Sequence, residues 1–304
     1  MNLRDLEYVL ALEAERSFSR AAERCGVAQP TLSAQVRKLE DSLGVALFER
    51  AGRDLRVTAA GETILEQARL AVDAVRRIEE LAGAHADPRV GPVRLGVIPT
   101  LAPYILPQAL PAVAKQLPLA PLIVVEDLTE RLLSSLGGGQ LDAAIVATDV
   151  PPGKLSEVVL FDEPFRLAVP LGHRLAVGES PLDIASVDPA TMILLADGHC
   201  LADQAQALCR AAGNAGRASD LRATSLETVL NLVEGALGVT IVPELARAQV
   251  AKRFPGIAFR ELSGRAAQRR VRIVYRAFSP RRSVIAEIGA CVQSSIAGTL
   301  QVAP

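Results

Sequence analysis

Between Val93 and Ala147 the hydrophobic period switches back and forth, and that alternation limits the fold more than any other stretch of the chain. Val93–Pro99, Leu122–Leu128 and Leu141–Ala147 are short apolar runs of strand type, while Leu101–Leu117 and Thr129–Leu136 carry apolar residues at helical spacing. Strand–helix–strand repeats predict βαβ units and therefore an α/β domain with a mostly parallel sheet. Leu160–Pro170 then reads as a crossover into a second lobe. Leu221–Glu244 returns a strand and a helix, for which Thr224-Ser225-Leu226-Glu227 fits a capping box, and Val239–Val242 follows as a strand. Val271–Arg276 reads as a strand re-entering the first lobe, ahead of a helix near Val284–Ala297. Lobe I is expected at 93–163 and 267–304, and lobe II at 164–266.

The first 92 residues are organised differently. Leu3, Leu6, Val9, Leu10 and Ala14 mark one helix, and Ser17 to Gly26 a second with a serine start and a glycine stop. Val27-Ala28-Gln29 is a tight turn, and Pro30 sits where a first-turn proline is tolerated before a helix over Thr31–Leu43. Two short helices joined this way make a helix-turn-helix. Leu47–Arg50 and Leu55–Thr58 flank Ala51–Asp54 as a small β-hairpin wing, which closes a DNA-binding unit over 1–58. Thr58 can cap a linker helix over 59–82, whose stripe of Ile64, Ala68, Ala71, Val75, Ile78 and Leu81 asks for a partner, most simply its own copy. The polar stretch 83–92 reads as a hinge.

Charge adds nothing to this reading. The net charge is −1, and residues 1–58 carry nine basic against nine acidic side chains, so nucleic-acid binding must rest on where the charges fall. Half of the residues are hydrophobic, which excludes a disordered chain. The charged start Met1-Asn2-Leu3-Arg4-Asp5 is no signal peptide, and no apolar run reaches the ~18 residues of a membrane span. A cytoplasmic protein is expected, with cysteines normally reduced.

Four cysteines are present. Cys200 and Cys209, nine positions apart, fit neither zinc spacing nor CxxC. On one helix they would lie ~13.5 Å apart on opposite faces. A bond needs Cα atoms within ~7 Å, so they can pair only if the segment between them changes conformation. Cys209 taken alone also fits a buried helix cysteine. Cys25 and Cys291 read as structural, His85 and His173 as surface residues, and Gly137-Gly138-Gly139 as a turn lacking the Lys-Ser/Thr of a phosphate loop. No cofactor or metal site is expected.

Ser19-Arg20-Ala21-Ala22, Gln29-Pro30-Thr31-Leu32-Ser33, Lys38-Leu39-Glu40 and Leu43-Gly44 resemble the signature of LysR-type transcriptional regulators. The order of units matches along the whole chain. Five further segments are similar to the peroxide-sensing branch of that family: Ile98-Pro99-Thr100, Phe161-Asp162-Glu163-Pro164, Asp197-Gly198-His199-Cys200-Leu201, Asp203-Gln204-Ala205 and Arg222–Thr228. Ala202 departs from it, since the family more often has arginine there. The resemblance implies a winged helix-turn-helix, a long linker helix and a two-lobed, periplasmic-binding-protein-like α/β regulatory domain. It implies a regulator, not an enzyme, in which hydrogen peroxide oxidises Cys200 to a sulfenic acid that condenses with Cys209. Thr100, Thr129, His199, Asp203 and an arginine would assist, the arginine being taken as Arg269 with Arg265 and Arg270 left open as alternatives. Thr31, Ser33, Gln35, Arg37 and Lys38, with Arg53 on the wing, would contact promoter DNA. The implied partners are RNA polymerase, a glutaredoxin- or thioredoxin-type reductant, and further copies as a dimer of dimers, with no membrane. Two rivals stay open: a regulator whose inter-lobe crevice binds a small organic anion, and a thiol peroxidase carrying a DNA module.

Overall fold

In a computed structural model the chain is described over residues 1–51, 54–150, 153–178, 181–211, 213, 219–264 and 266–300. It divides into two compact units, Met1–Gly83 and Ala84–Pro304.

In the first unit α1 (Leu3–Glu15), α2 (Phe18–Arg24) and α3 (Gln29–Leu43) precede the strands β1 (Phe48–Ala51) and β2 (Asp54–Val57) and the start of α4 (Ala59–Ala86). Ser17 caps α2 by accepting from the Arg20 N–H, and Pro30 lies in the first turn of α3. Val9, Leu12, Ala21, Leu32, Val36, Leu39, Leu47 and Leu65 form one core. Glu40 ties the helices to the hairpin, its carboxylate accepting from Leu47 N–H at 2.7 Å and Phe48 N–H at 3.1 Å. Thr58 caps α4 through Gly61 N–H at 2.9 Å. Gly61 must be glycine, because a Cβ there would lie 2.2 Å from Leu47 O.

Two expectations change in α4. Its inward face is Leu65, Ala68 and Val72, so of the predicted stripe Ala68 is buried whereas Ala71 and Ile78 are exposed, as is Leu70 outside it. The helix also runs to Ala86, four residues into the predicted hinge. Ala84 and Ala86 favour helix, and it stops where Asp87 precedes Pro88, a position biased away from helical backbone. Residues 87–92, which follow, are not loose. Arg281, 1 % exposed, donates to the carbonyls of Pro88, Gly91 and Val90 at 3.2, 3.2 and 3.0 Å, and Arg89 pairs with Glu287.

The second unit contains β3 (Val93–Val97), α5 (Ala102–Gln116), β4 (Leu122–Glu126), α6 (Thr129–Gly137), β5 (Ala143–Val146) and the 16-residue β6 (Leu155–Pro170). After these come β7 (Leu194–Leu195), α7 (Cys200–Ala211), β8 (Arg222–Ala223), α8 (Leu226–Glu234), β9 (Thr240–Pro243), α9 (Glu244–Arg253), β10 (Ile257–Glu261), β11 (Gln268–Arg276) and α10 (Arg282–Ile296). The main sheet runs β10-β6-β11-β5-β3-β4, with β9 also on β6. Within it only β4, β3 and β5 pair in parallel, while β11, β6, β9 and β10 join antiparallel. The sheet is therefore mixed, not mostly parallel: β6 leaves lobe I as one long strand and β11 comes back against it.

The lobe boundaries follow from β6. Its residues 155–164 pair with β11, and 165–170 with β9 and β10. Phe161 and Val271 belong to the lobe I core, whereas Phe165 and Ala267 belong to that of lobe II. The α8 cap falls one residue later than predicted: Ser225 accepts from Thr228 N–H at 3.2 Å and pairs with its hydroxyl. Thr224 lies in the bend between β8 and α8.

Candidate redox site and nucleic-acid interface

The candidate redox site lies where two parallel strands end. Ile98, Pro99 and Thr100 follow β3, Leu128 and Thr129 follow β4, and Gly198, His199 and Cys200 open α7; together they line a small cavity. Crevices at the carboxyl ends of parallel strands are where α/β folds place ligands. Gly198 makes the approach possible: its φ is +91°, and an added Cβ would press on Leu128 at 3.1 Å. The cavity volume is about 10 Å³, close to the ~10–15 Å³ that one water-sized molecule requires.

Cys200 is 7 % exposed and packs into the lobe I core, although α7 is otherwise a lobe II helix. Burial raises its thiol pKa from the ordinary 9.0, while the Arg269 charge, the Thr129 hydroxyl and the Leu201 N–H pull it down. Asp203 opposes them: it is exposed on the first turn of α7, does not line the cavity, and its charge raises the pKa further. Thr129 Oγ1 is buried and meets no partner at full hydrogen-bond geometry, so its nearness to the thiol registers as a pull on the pKa rather than as a formed bond. His199 is half-buried, and burial lowers its pKa against the opposing effect of a hydrogen bond to the Thr224 backbone. It is a neutral imidazole at pH 7.

Strand periodicity selects the arginine. Arg269 stands opposite Glu163 in the β11–β6 register and Arg270 opposite Asp162. Successive strand residues face opposite ways. Arg270 therefore points outward, holding Asp162 at 2.8 and 3.0 Å, while Arg269 points in, with both its side chain and that of Glu163 0 % exposed. Arg269 donates to Thr100 Oγ1 at 2.8 Å, to Thr100 O at 3.0 Å and to Glu163 at 2.8 Å. Arg265 lies outside the described residues.

Cys209 is 8 % exposed, in the lobe II core, at the far end of the same helix. The two thiols are free and belong to different cores. Ala202, 2 % exposed, packs beside Cys209's cluster, where an arginine would have no room without rearrangement. Sequence reasoning did not single out Glu163 or Gln204. The first becomes visible only once the strand pairing is known. Gln204 is four residues from Cys200, thus on its face of α7, and donates to Ala147 O at 2.6 Å. Cys25 is half-buried beside the helix-turn-helix core, and Cys291 donates to Gln116 at 3.3 Å. Among the described residues no group of three His, Cys, Asp or Glu could hold a metal ion, and no helix is long and apolar enough to cross a membrane.

A second, larger cavity of about 440 Å³ shares Thr100 and His199 with the first. Tyr104, Glu126, Glu227 and Arg253 are among its walls, and Arg253 is paired with Glu227.

On the first unit, α3 turns Leu32, Val36 and Leu39 inward. Thr31, Arg37 and Lys38 are exposed, Ser33 and Gln35 half-buried at the flanks, and Ala34 sits on the open face between them. Arg56 is exposed on β2, whereas Arg53 lies outside the described residues, as does the side chain of Arg50.

Residues 3–62 match the family model for the bacterial regulatory helix-turn-helix protein of the lysR family, and residues 86–296 that for the LysR substrate binding domain. A hydrogen peroxide-inducible genes activator of Dickeya chrysanthemi is 42 % identical over 282 residues, covering 93 % of this chain and 92 % of that protein. The DNA-binding transcriptional dual regulator OxyR of Escherichia coli K12 is 39 % identical over 298 residues, covering 98 % and 97 %. A solved structure of Corynebacterium glutamicum OxyR, a cysteine-to-serine variant with hydrogen peroxide bound, is similar with a TM-score of 0.67 and 33 % identity over 98 % of this chain and 94 % of that one. Signature, architecture and whole-length likeness agree: the chain belongs to the LysR family of bacterial regulators and, within it, to the OxyR-type hydrogen peroxide-inducible genes activators.

Proposed function

We propose that the chain is a cytoplasmic peroxide-sensing transcription regulator in which Cys200 and Cys209 form a reversible redox switch. The observation that carries this is a buried thiol beside a water-sized cavity lined by Thr100 and Thr129. The Cys200 thiolate attacks one peroxide oxygen, the O–O bond breaks, and the other oxygen leaves as hydroxide. Thr100 and Thr129 hydrogen-bond to that departing oxygen and help deliver a proton to it, which solvent replaces. Cys200 is thereby oxidised by two electrons to a sulfenic acid, and the Cys209 thiol displaces water from it to give the disulfide. A glutaredoxin- or thioredoxin-type dithiol reduces that disulfide and is itself oxidised.

Thr31, Ser33, Gln35, Arg37 and Lys38, with Arg53 on the wing, meet promoter DNA in this reading, guanidinium and amide groups reading base edges and hydroxyls and ammonium holding phosphates. The exposed Leu70 and Ile78 side of α4 joins two copies, and pairs of dimers carry the redox change to RNA polymerase. The signal is stoichiometric rather than catalytic, because resetting requires α7 to refold.

The organic-anion reading has less support. Arg253 on the larger cavity is already paired with Glu227, Glu126 adds a second carboxylate, and His199 is neutral. The deciding experiment is thiol counting and peptide mapping after one equivalent of hydrogen peroxide, on the wild-type chain and Cys200→Ser. A linked Cys200–Cys209 peptide in the wild type alone is expected. A persistent sulfenic or sulfinic acid at Cys200 with Cys209 still free would end the disulfide step.

A further inference from the structure

We infer that Glu163 is a positioning residue that, through Arg269, fixes the Thr100 hydroxyl as a hydrogen-bond donor toward the Cys200 cavity. The inference rests on the proposed reaction of Cys200 with peroxide and deepens it.

A guanidinium has five N–H donors and no acceptor, and a hydroxyl has one hydrogen and two lone pairs. Arg269 Nη1 donates to Thr100 Oγ1 at 2.8 Å, so Thr100 is the acceptor in that bond. Its own hydrogen therefore remains to be given away. Among the described residues no acceptor receives it, and Thr100 lines the cavity beside Cys200. A second Arg269 bond, Nη2 to Thr100 O at 3.0 Å, fixes the backbone of the same residue. The arginine thus grips Thr100 at two points and sets the sense of its hydroxyl.

Glu163 holds the arginine in that pose. It stands opposite Arg269 across the β6–β11 pairing and binds it at 2.8 Å with both side chains out of solvent. Its other oxygen accepts the Leu245 N–H at 2.9 Å, in the first turn of α9. The carboxylate is consequently anchored by the first turn of α9 while it aims the guanidinium of β11. Polarity matters for the chemistry. When the O–O bond breaks, the departing oxygen gains negative charge and needs a donor 2.7–3.1 Å away, as oxyanion sites provide. A Thr100 hydroxyl turned the other way would present a lone pair to that charge.

Glu163→Gln tests this. It keeps the shape and an acceptor for Leu245, but gives Arg269 a neutral amide. In a variant with wild-type circular dichroism and DNA affinity when reduced, peroxide oxidation of Cys200 should slow by ~10²-fold, the lower range for lost proton-donor assistance. Alkylation of Cys200 by iodoacetamide, which expels iodide and needs no donor, should stay near the wild-type rate. Combined with Thr100→Val, the double variant should be no slower than Thr100→Val alone, since both changes remove one interaction. Should Glu163→Gln fail to fold, Arg269→Lys takes its place: it keeps a cation beside Glu163 but loses the planar fork that reaches Thr100 as well. Oxidation at wild-type speed, alkylation slowed in parallel, or effects that multiply in the double variant would each overturn the proposal. A wild-type Cys200 that ignores peroxide would instead overturn the sensing reading itself.

Discussion

Oxidation should dismantle α7, and the structure allows the size of the effect to be worked out. Nine helical steps separate Cys200 from Cys209 by ~13.5 Å along the axis, whereas a disulfide tolerates at most ~7 Å between Cα atoms. Roughly half of that separation has to be removed, and no helical geometry can do it. Leu201 and Leu208, each 3 % exposed, leave the lobe II core with the helix. At ~1.5–3 kcal/mol for each leucine the loss is about 3–6 kcal/mol. Closing a loop of about ten residues returns ~2.7 kcal/mol by restricting the unfolded chain. The oxidised regulatory unit should therefore be less stable than the reduced one by up to ~3 kcal/mol. Hydrogen exchange read on peptides spanning 200–209 should lose protection on peroxide treatment, and urea unfolding should move to lower denaturant. If the linked peptide forms while amides 201–208 keep their reduced-state protection, the opposite-face argument is wrong.

Four further outcomes follow from other parts of the structure. Thr100→Val should slow peroxide oxidation of Cys200 by ~10²–10⁴-fold in stopped flow; an unchanged rate would leave Thr100 with a packing role. Arg37→Ala or Lys38→Ala should each make the negative slope of log K against log salt shallower by about one unit where a phosphate contact is lost. Equal slopes for both variants and the wild type would remove α3 from the DNA. Ala236 has φ +60°, a left-handed conformation that penalises a Cβ, so Ala236→Gly should raise the urea midpoint by the equivalent of roughly 0.5–1 kcal/mol. Burial raises the Cys200 pKa above 9.0, so the folded chain holds that proton more tightly than the unfolded chain. The resulting stability is complete below about pH 9 and is lost as the pH climbs through the raised value. Urea midpoints measured upward from about pH 8 should fall more steeply for the wild type than for Cys200→Ser.

Much of this was legible because the signals were local. Ser17, Pro30 and Thr58 announce helix starts through capping chemistry that acts over three residues, and each behaves as its type dictates. Period-two and period-3.6 patterns located most strands and helices to within about two residues. What stayed hidden depends on pairing across long separations. Nothing local says that Arg269 lies opposite Glu163, so telling Arg269 from Arg270 required the register of β6 and β11. The mixed sheet escaped for the same reason, since a strand's direction is not written in its own residues. The family resemblance put Asp203 with the thiol; on α7 it is exposed and does not line the small cavity, though its charge still acts on Cys200. Gly83 suggested a break, yet an isolated glycine among alanines weakens a helix without ending it.

The Arg281 grip on residues 88–91 has a practical consequence for dissecting the molecule. The natural place to cut is just before Val93, where the first strand of lobe I begins. A fragment starting there would lose the carbonyls of Pro88, Val90 and Gly91, three acceptors of a guanidinium that is 1 % exposed at the base of α10. Taking acceptors away from a buried charge costs free energy. Fragments beginning at or before Asp87 should express as soluble, cooperative units, and those beginning at Val93 should be prone to aggregation. Six residues that look like a disposable leash in the sequence thus set where a stand-alone sensor can begin.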